Sequence, residues 1–308
     1  MIFNSATFRN TFKQEQFLML DISVIIVTYN SSECIQACLD SVCSQKGVDY
    51  EVIVVDNTSS DDTLLTVRNN RSLLLENEEN IGFGRACNLG VSRSLGRYIF
   101  LLNPDARLTD EDDLAKVCRL MDENPRWGLA GAKVLSPNGS LESPPAREYP
   151  GQKHVQRDFS HLPGSISWVI GAAMIVRRDI YLQLGGFDPD FFLYSEETDL
   201  CLRVRESGYE IGWLEDVAVR HVGGESEKGA DPYETACRKL RGLLTFRTKH
   251  YAHRECVFLA NRDRRRAFFR MITNGLVAFV RGKKSTAWEK YRMYRGVWKT
   301  SKHYLASA

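Results

Sequence analysis

Short apolar runs alternate with amphipathic segments through the first third of the chain. Residues 22–27, 52–55, 73–75 and 98–102 are dominated by Ile, Val, Leu and aromatic residues. Between them, apolar residues recur every three or four positions, as in residues 35–42, and this spacing predicts helices. Strands that are apolar on both faces and alternate with helices form parallel sheets covered by helices. The pattern therefore predicts an α/β fold with a mainly parallel sheet.

Polar residues beside these runs indicate where helices begin. Ser31 or Ser32 is expected to cap the first helix, and Ser195 is expected to cap a later one, because serine oxygens accept hydrogen bonds from free N–H groups at a helix start. The helix that precedes the fourth strand is predicted at residues 84–95.

The second half of the chain is less regular. Residues 168–176 predict a strand, and residues 178–184 predict a short helix that ends at Gly185 and Gly186. Upstream of them, residues 136–165 contain five prolines. Proline interrupts helices and strands, so this segment is predicted to be a long loop that closes over a site.

Charge divides the chain into an acidic body and a basic tail. Residues 238–308 contain 19 Lys and Arg against 3 Asp and Glu, a net charge of +16, so the remainder carries −14 of the total of +2. Asp231 and Pro232 mark a helix start, because proline is favoured at the first helical position. We therefore expect an N-terminal extension at 1–20, a catalytic body at 21–230 and a basic helical extension at 231–308.

Two basic clusters in this extension, residues 264–266 and 281–284, flank an apolar centre. Its apolar residues are Phe268, Phe269, Ile272, Leu276, Phe279 and Val280. The arrangement is typical of a helix in a membrane interface, where anionic headgroups add about 1 kcal/mol per nearby basic residue. The alternatives are a helix that packs on the body, and a nucleic-acid surface, which the lack of a known binding motif disfavours.

Membrane-spanning and secreted classes are not favoured. The uncharged stretch at residues 271–280 is half of the about 20 residues that a spanning helix needs. Residues 1–20 lack the continuous apolar segment of a signal peptide. The eight cysteines form no Cys-x-x-Cys pair, which predicts buried thiols rather than disulfides or a zinc site. These features predict a cytoplasmic location.

Polar residues follow three of the predicted strands. Thr28 and Asn30 follow the first strand, Asp56 the second, and residues 103–105 the fourth. Ligands of open α/β sheets bind beyond the carboxyl ends of the strands. The proline at position 104 cannot continue a central strand, so the chain turns and leaves Asp105 at the crevice. Either Asp105 is an ordinary turn residue, or it holds Mg²⁺ or Mn²⁺ beside a diphosphate.

A cluster of acids and a histidine are the other candidates. Glu196, Glu197 and Asp199 begin a predicted helix, where they either complement the helix dipole or present a carboxylate that accepts a proton from a hydroxyl. His221 ends a short strand before Gly223, and is either a partly buried core histidine or a ligand of a metal or phosphate. No glycine-rich dinucleotide loop or Walker A pattern is present.

Seven short segments occur in a fixed order between residues 21 and 226. They are VIIVTYN, VIVVDNTSSDDT, NIGFGRACNLG, FLLNPDA, GAAMIVRR, GGFDPDFFLYSEETDLCLR and RHVGGES. Together they resemble the family 2 glycosyltransferases, in particular the bacterial rhamnosyltransferase-like subgroup. The resemblance implies a GT-A fold and an inverting transfer of a sugar from a nucleotide diphosphate.

The resemblance also implies roles for individual residues, with Asp56 on the pyrimidine base and Asn103 in place of the first Asp of the family's Asp-x-Asp motif. The expected nucleotide-binding residues are Thr28, Asn30, Asp56, Asn80, Asn88 and Asn103. The expected metal ligands are Asp105 and His221. The expected contacts of the sugar or the acceptor are Trp168, Gly171, Ala172 and Tyr194.

The expected catalytic base departs from the subgroup pattern. The subgroup reads Glu-Asp-x-Asp with its second residue as the base, whereas this sequence reads Glu196-Glu197-Thr198-Asp199. Glu197 is therefore the expected base, with Glu196 as the alternative. The additional methylene of Glu197 changes the geometry at the reacting hydroxyl more than the class of reaction.

The resemblance predicts a metal-dependent inverting glycosyltransferase, peripheral to the cytoplasmic face of the inner membrane of a bacterium. The expected donor is dTDP-rhamnose, with UDP-hexoses and UDP-N-acetylhexosamines as alternatives. The expected acceptor is a glycan or a polyprenyl-linked glycan of a cell-surface polysaccharide or lipopolysaccharide. The alternative function is a membrane-bound protein that binds a nucleotide sugar without turnover, and the unusual Glu197 is the feature that favours it.

Overall fold

A mixed sheet of eight strands forms the centre of the computed structural model, which describes residues 20–222 and 230–308. The strands are β1 (Ile22–Thr28), β2 (Tyr50–Asp56), β3 (Leu73–Glu76), β4 (Tyr98–Leu102), β5 (Ala106–Leu108), β6 (Trp127–Leu135), β7 (Ala173–Arg177) and β8 (Glu210–His221). Their order across the sheet is β3-β2-β1-β4-β7-β6-β8-β5. The predicted N-terminal extension, apart from residue 20, and Gly223 lie outside the described residues.

Helices cover both faces of this sheet. They are α1 (Ile35–Cys43), α2 (Thr63–Arg68), α3 (Phe83–Ser92), α4 (Asp113–Glu123), α5 (Arg178–Gln183), α6 (Glu196–Glu206), α7 (Pro232–His250), α8 (His253–Arg281) and α9 (Thr286–Ser307). The helix predicted at 84–95 ends earlier, at Ser92, where the hydroxyl of Ser94 donates a 2.7 Å hydrogen bond back to the carbonyl of Val91.

The predicted α/β fold is confirmed, and the sheet is mixed, because its second half combines antiparallel pairs with one parallel pair, β6 with β8. β1 pairs in parallel with β2 and β4, and β2 pairs in parallel with β3. β7 lies antiparallel between β4 and β6, and β5 lies antiparallel to β8. The strand predicted at 168–176 begins only at Ala173. Trp168, Ile170, Gly171 and Ala172 instead line the crevice at the carboxyl edge of the sheet, whereas Val169 packs in the core.

Strand β1 shows why the central strands are apolar on both faces. All seven of its residues are buried. Ile22, Val24 and Ile26 pack in one cluster with α1, while Ile25 and Val27 pack in a second cluster with α3 on the other face. Side chains alternate between the faces of a strand, so a strand between two helical layers needs apolar residues at nearly every position.

The predicted serine caps are corrected by the structure. Helix α1 begins after Cys34 without a side-chain cap, and the hydroxyl of Ser31 accepts a hydrogen bond from the backbone of Tyr29 instead. Ser195 occupies the N-cap position of α6 but makes no capping bond, because its backbone is left-handed with φ 71°. A capping side chain normally extends from β-region backbone, which this residue does not adopt.

The proline-rich segment is held against the body along its second half. The side chains of Tyr149 and Phe159 are buried in an aromatic cluster. Arg205 of α6 is also buried, and it donates hydrogen bonds to the carbonyl groups of residues 162–164. Because closure of this half would break those bonds, movement as a lid is restricted to the first half of the segment.

The basic extension packs on the body through α7 and the beginning of α8. Phe246, Tyr251 and Leu259 share one buried cluster with Tyr149 and Phe191 of the body. Within the described ranges, no helix combines the length and the apolarity that crossing a bilayer requires.

A buried ion pair joins α6 to α7. Asp199, which is 1% exposed, accepts a 2.8 Å hydrogen bond from Arg203, and its other oxygen lies 2.7 Å from Nε2 of His250. The carboxylate thus fixes the first turn of α6 against the basic extension.

Loss of this carboxylate is expected to destabilise the fold. Asp199→Ala is expected to lower the free energy of unfolding by about 3 kcal/mol, because Arg203 loses a charge partner in a buried position. The exposed Asp216→Ala in β8 is the control, with an expected change below about 0.5 kcal/mol. Urea unfolding followed by circular dichroism measures both, and equal small effects would contradict the role of Asp199.

Candidate active site

A crevice of about 470 Å³ opens at the carboxyl ends of β1 and β4. The predicted site residues that line it are Thr28, Asn30, Asn80, Asn103, Asp105, Trp168, Gly171, Ala172, Tyr194, Glu196, Glu197 and His221. Asp56 and Asn88 lie outside this lining. The lining residues, from six separate stretches of sequence, therefore meet at the edge where parallel strands place their ligands.

Asp56 lies directly beneath one wall of the crevice. It is 1% exposed and accepts a 2.8 Å hydrogen bond from the hydroxyl of Thr28. It also accepts hydrogen bonds from the backbone N–H of Ser59 at 2.8 Å and from the hydroxyl of Ser59 at 2.6 Å. The carboxylate thereby fixes the two strand ends relative to each other, and the neighbouring Asn57 lines the crevice in its place.

Asparagine side chains hold the loops at this end of the crevice. Oδ1 of Asn30 accepts a 2.8 Å hydrogen bond from the backbone of Ser60, and Oδ1 of Asn80 accepts a 3.0 Å bond from the backbone of Gly82. Asn57 donates to the carbonyl of Gly82 at 3.3 Å. Amides used in this way join three loops into one rigid wall.

Asn88 acts elsewhere in the structure. Its carbonyl accepts hydrogen bonds from the hydroxyl of Tyr181 at 2.6 Å and from the backbone N–H of Phe187 at 2.9 Å, and its amide donates to the carbonyl of Phe187 at 2.8 Å. These bonds tie α3 to the turn after α5. The side chain therefore positions that turn and is not directed into the crevice.

Asp105 and His221 meet because β5 pairs with β8. The register places Ala106 opposite His221, so the residue before β5 lies beside the end of β8. Nε2 of His221 lies 3.1 Å from Oδ1 of Asp105, is buried, and makes no hydrogen bond of good geometry in the described structure. Adjacent ligands of an octahedral Mg²⁺, each about 2.1 Å from the ion, lie about 3 Å apart. The donor pair therefore fits a divalent cation.

Glu142 completes this group, and the sequence did not predict it. Its Oε2 lies 2.8 Å from Nδ1 of His221. Burial lowers the pKa of His221, but the carboxylates of Asp105 and Glu142 outweigh it and raise the pKa to about 9, so a cation held at Nε2 would displace the proton there. A carboxylate on the second ring nitrogen fixes the orientation of a metal-binding histidine. Glu142 lies in the proline-rich segment, where no periodicity indicates which side chains face the sheet.

Replacement of Glu142 is expected to weaken metal binding. Glu142→Ala is expected to lower Mn²⁺ affinity by about tenfold or more, because His221 loses the group that orients its ring. Glu142→Gln keeps a hydrogen-bond acceptor and is expected to retain most of the affinity. The exposed Glu148→Ala, in the same segment, is the control. Electron paramagnetic resonance of free Mn²⁺ measures all three, and an unchanged affinity in Glu142→Ala would contradict this role.

A second acidic group lies away from the crevice. Carboxylate oxygens of Asp110, Asp112 and Asp113 at the start of α4 lie within 4.8 Å of one another. Lys116 forms ion pairs with all three, at 3.2, 2.8 and 3.8 Å. The lysine already compensates this charge, and none of the three residues lines the crevice.

A strained turn directs the two glutamates toward the crevice. Tyr194 and Ser195 both have left-handed backbone, with φ of 73° and 71°. Two consecutive residues other than glycine in this region are energetically unfavourable, and such strain is concentrated at functional sites. The turn brings Glu196 and Glu197 of α6 to the crevice that Asp105 also lines.

The two glutamates differ in protonation. Burial raises the pKa of Glu196 well above its usual value, and the charge of Glu197 raises it further. Oε2 of Glu196 has no hydrogen-bond partner in the described structure. Burial also raises the pKa of Glu197, but backbone N–H groups of Ser195 and of Glu197 itself offset part of the effect and leave it at about 7. Of the two carboxyl groups, Glu197 has the pKa that lies closer to neutral pH.

The remaining wall consists of an aromatic ring, a glycine without a side chain and two basic side chains. The indole of Trp168 donates a 3.2 Å hydrogen bond to the carbonyl of Glu148. A side chain at Gly171 would contact Glu197 at 3.6 Å, so the glycine leaves space beside that carboxylate. Arg238 and Lys239 of α7 also line the crevice. The sequence showed these two only as part of the basic extension, without a motif that connects them to the site.

Comparison with known proteins identifies the family. A family model described as "Glycosyl transferase family 2" matches residues 23–185. The "Low-salt glycan biosynthesis hexosyltransferase Agl10" of Haloferax volcanii is 26% identical over 229 residues, which cover 69% of this chain and 70% of the relative. The "N-acetylglucosaminyl-diphospho-decaprenol L-rhamnosyltransferase" of Mycobacterium tuberculosis is 26% identical over 248 residues, 68% of this chain and 78% of the relative.

Solved structures of similar fold confirm the predicted GT-A architecture. A mannosyltransferase from Pyrobaculum calidifontis, in complex with GDP-Man and Mn²⁺, superposes with a TM-score of 0.55 at 20% identity over 95% of this chain and 76% of that chain. TarS of S. aureus superposes with a TM-score of 0.55 at 20% identity over 82% of this chain, and the match spans 43% of the length of that protein.

Proposed function

The chain belongs to glycosyltransferase family 2, and we propose that its crevice carries out a metal-dependent, inverting transfer of a sugar from a nucleoside diphosphate to an acceptor hydroxyl. The observation that supports the proposal most is that Asp105 and His221 line the same crevice as Glu197. A cation-binding pair and a carboxylate with a pKa of about 7 are the two groups that this reaction requires.

In the proposed reaction the residues have separate tasks. Thr28, Asn30 and Asn80 hold the nucleoside, and Asp105 with His221 would hold a Mg²⁺ or Mn²⁺ ion. When bound, that ion neutralises the charge that develops on the leaving diphosphate.

The opposite wall receives the acceptor. Glu197 accepts the proton of the acceptor hydroxyl as its oxygen attacks the anomeric carbon. The new bond from carbon to oxygen forms on the face opposite the bond to the diphosphate, which breaks, so a single displacement inverts the anomeric configuration. Glu196, protonated and buried, donates a hydrogen bond to a sugar oxygen. Trp168 stacks on a sugar face.

The donor is proposed to be dTDP-rhamnose, and the acceptor a glycan on a polyprenyl diphosphate. The support is the name of the Mycobacterium tuberculosis relative, which is a rhamnosyltransferase that acts on a diphospho-decaprenol. The product belongs to a cell-surface polysaccharide of a bacterium, such as lipopolysaccharide.

The proposal is tested by nucleotide release from a panel of donors. Purified protein with Mg²⁺ or Mn²⁺ is incubated with dTDP-rhamnose, UDP-glucose, UDP-galactose or UDP-N-acetylglucosamine, with and without membrane lipid extract. Release from dTDP-rhamnose that the extract accelerates supports the proposal. Release of UDP from a UDP-sugar supports transferase activity, with that UDP-sugar as the donor in place of dTDP-rhamnose. Binding without release from any donor, even with extract, supports a protein that does not turn over.

The end of α8 is proposed to place the enzyme on the cytoplasmic face of the inner membrane. Phe269, Leu276, Phe279 and Val280 are 68%, 66%, 91% and 84% exposed. Basic residues surround this apolar face at both ends, in the clusters 264–266 and 281–284. An exposed apolar face with basic flanks fits the interface of an anionic bilayer, and it makes the enzyme peripheral rather than spanning.

Vesicle sedimentation measures this association. Phe279→Ser is expected to reduce binding to phosphatidylglycerol vesicles by about thirtyfold, because burial of an aromatic side chain in the bilayer contributes about 2 kcal/mol. The exposed Leu65→Ser on α2 is the matched control, with binding unchanged. Equal binding of both variants would remove this face from the membrane contact.

A further inference from the structure

A second cavity of about 510 Å³ adjoins the crevice. It lies between residues 190–193, α7 and α9, and Phe192, Leu193 and Arg238 line both spaces. The wall at 190–193 leads directly into the strained turn that carries Glu197. The second cavity therefore lies next to the part of the crevice where the proposed base acts.

The cavity is lined by two arginines that have no acidic partner among the described residues. Arg238 and Arg241 are one turn apart on α7, and neither forms an ion pair within residues 20–222 and 230–308. Nε of Arg238 is buried and has no hydrogen-bond partner in the same described part. The carboxylate that does line the cavity, Asp190, is already paired with Lys249 at 2.6 Å. Two uncompensated guanidinium groups at this spacing fit an oxyanion with several oxygens.

Apolar side chains extend the cavity away from the arginines. Phe192, Leu193, Leu244 and Tyr304 line it together with several threonines, and Phe192 is 52% exposed. A large exposed aromatic side chain beside two arginines provides one subsite for an apolar group and one subsite for an anion in the same cavity. Free inorganic phosphate would occupy only the subsite for the anion.

A glycine sets the approach of α7 to the crevice. A side chain at Gly242 would lie 2.1 Å from the carbonyl oxygen of Tyr194, too close for any other residue. Because α7 contacts the backbone of the strained turn here, Arg238 is held where the two spaces meet and Arg241 is held in the second cavity.

We propose that this second cavity binds the diphosphate of a lipid-linked acceptor, with Arg238 and Arg241 on the phosphates and Phe192 against the first part of the lipid. The proposal rests on the proposed function, because it assigns the acceptor side of that reaction. The glycan that the diphosphate carries would extend into the crevice toward Glu197.

Calorimetric titration with farnesyl diphosphate in the presence of EDTA tests the cavity without the metal. The variant Arg241→Gln changes a residue that lines the second cavity only, and a second variant combines it with Arg238→Gln. The expected result is a loss of about tenfold in affinity for the first and more for the second, since each loses a charged hydrogen bond. Arg93→Gln, an exposed arginine just after α3, is the control and is expected to bind like the wild type.

Three further titrations separate the possible ligands. Farnesol without phosphate is expected not to bind, and inorganic pyrophosphate is expected to bind more weakly than the lipid diphosphate. Equal affinity for pyrophosphate overturns the lipid subsite. Displacement of the probe by UDP, no binding to the wild type, or unchanged affinity in both arginine variants overturns the whole assignment.

Donor hydrolysis by the same Arg241→Gln protein keeps the two proposals apart. Hydrolysis equal to the wild type together with lost probe binding supports the acceptor site. Intact hydrolysis with unchanged probe binding overturns the acceptor site and leaves the transferase. A third outcome combines a wild type that hydrolyses no donor with a variant that no longer binds the probe. This outcome overturns the proposed transferase activity and supports a site for a lipid diphosphate alone.

Discussion

Glu197→Gln is expected to lower kcat for sugar transfer by about 10³-fold, because the amide accepts no proton from the acceptor hydroxyl and general base catalysis contributes about 10²- to 10⁴-fold. The affinity for Mn²⁺ and for nucleoside diphosphate is expected to stay within twofold of the wild type, since Glu197→Gln removes no contact with the nucleotide sugar or the metal. The measurement is initial transfer rate with saturating donor, beside nucleotide binding by titration.

Glu196→Gln is the matched control for this substitution. Burial and the charge of Glu197 raise the pKa of Glu196 well above its usual value and favour its protonated form, and an amide has nearly the same shape and also donates a hydrogen bond. Its kcat is expected to remain within about tenfold of the wild type, at the cost of about one hydrogen bond. The reverse order of effects, with Glu196→Gln inactive and Glu197→Gln active, would exchange the two roles.

The pH dependence of kcat follows from the same assignment. A base acts in its ionised form, and the pKa of Glu197 is raised to about 7. The rate is therefore expected to rise with pH through about 7 and to level off above it. The rate of the Glu196→Gln enzyme is expected to show the same rise with pH, whereas the residual rate of the Glu197→Gln enzyme is expected not to show it. A profile that is flat between pH 5 and 8 in the wild type would contradict Glu197 as the base.

Asp105→Asn is expected to abolish tight Mn²⁺ binding and to lower kcat by about 10²-fold or more, since metal stabilisation of a developing charge contributes several kcal/mol. A neutral amide oxygen is a weaker ligand for a hard cation than a carboxylate. Asp110→Asn, in the acidic group at the start of α4, is the control and is expected to leave both quantities unchanged.

Paramagnetic resonance titration and steady-state rates at several Mn²⁺ concentrations measure this pair of variants. If Asp105→Asn binds Mn²⁺ normally and Asp110→Asn does not, the cation belongs to the start of α4. The crevice would then have to stabilise the leaving diphosphate without a cation.

The sequence predicted the parts of the fold that depend on local pattern. Strands such as β1 are buried on both sides and must be apolar throughout, so they are visible as continuous runs. The polar residues that end them, Thr28 and Asp105 among them, mark the edge of the sheet where the crevice lies. The direction of β7 was not predictable, because the irregular chain before it carries no helical period from which a crossover is inferred.

Site residues that depend on tertiary contacts were missed for a related reason. Glu142 reaches His221 from an irregular segment, and Arg238 reaches the crevice from a helix that follows the catalytic body by sequence. Asn88 shows the converse, because its motif placed it beside the nucleotide while its hydrogen bonds with Tyr181 and Phe187 direct it elsewhere. Sequence pattern gives the element, and packing decides which way a polar side chain points.

The central claim, that this crevice holds a cation and a nucleoside diphosphate, is tested most directly by anomalous scattering from Mn²⁺ in crystals grown with UDP or dTDP. The account predicts one strong manganese peak within bonding distance of Asp105 and His221, with the diphosphate oxygens completing its coordination. A manganese peak at Asp110, Asp112 and Asp113, with the nucleotide bound away from Asp105, would contradict it.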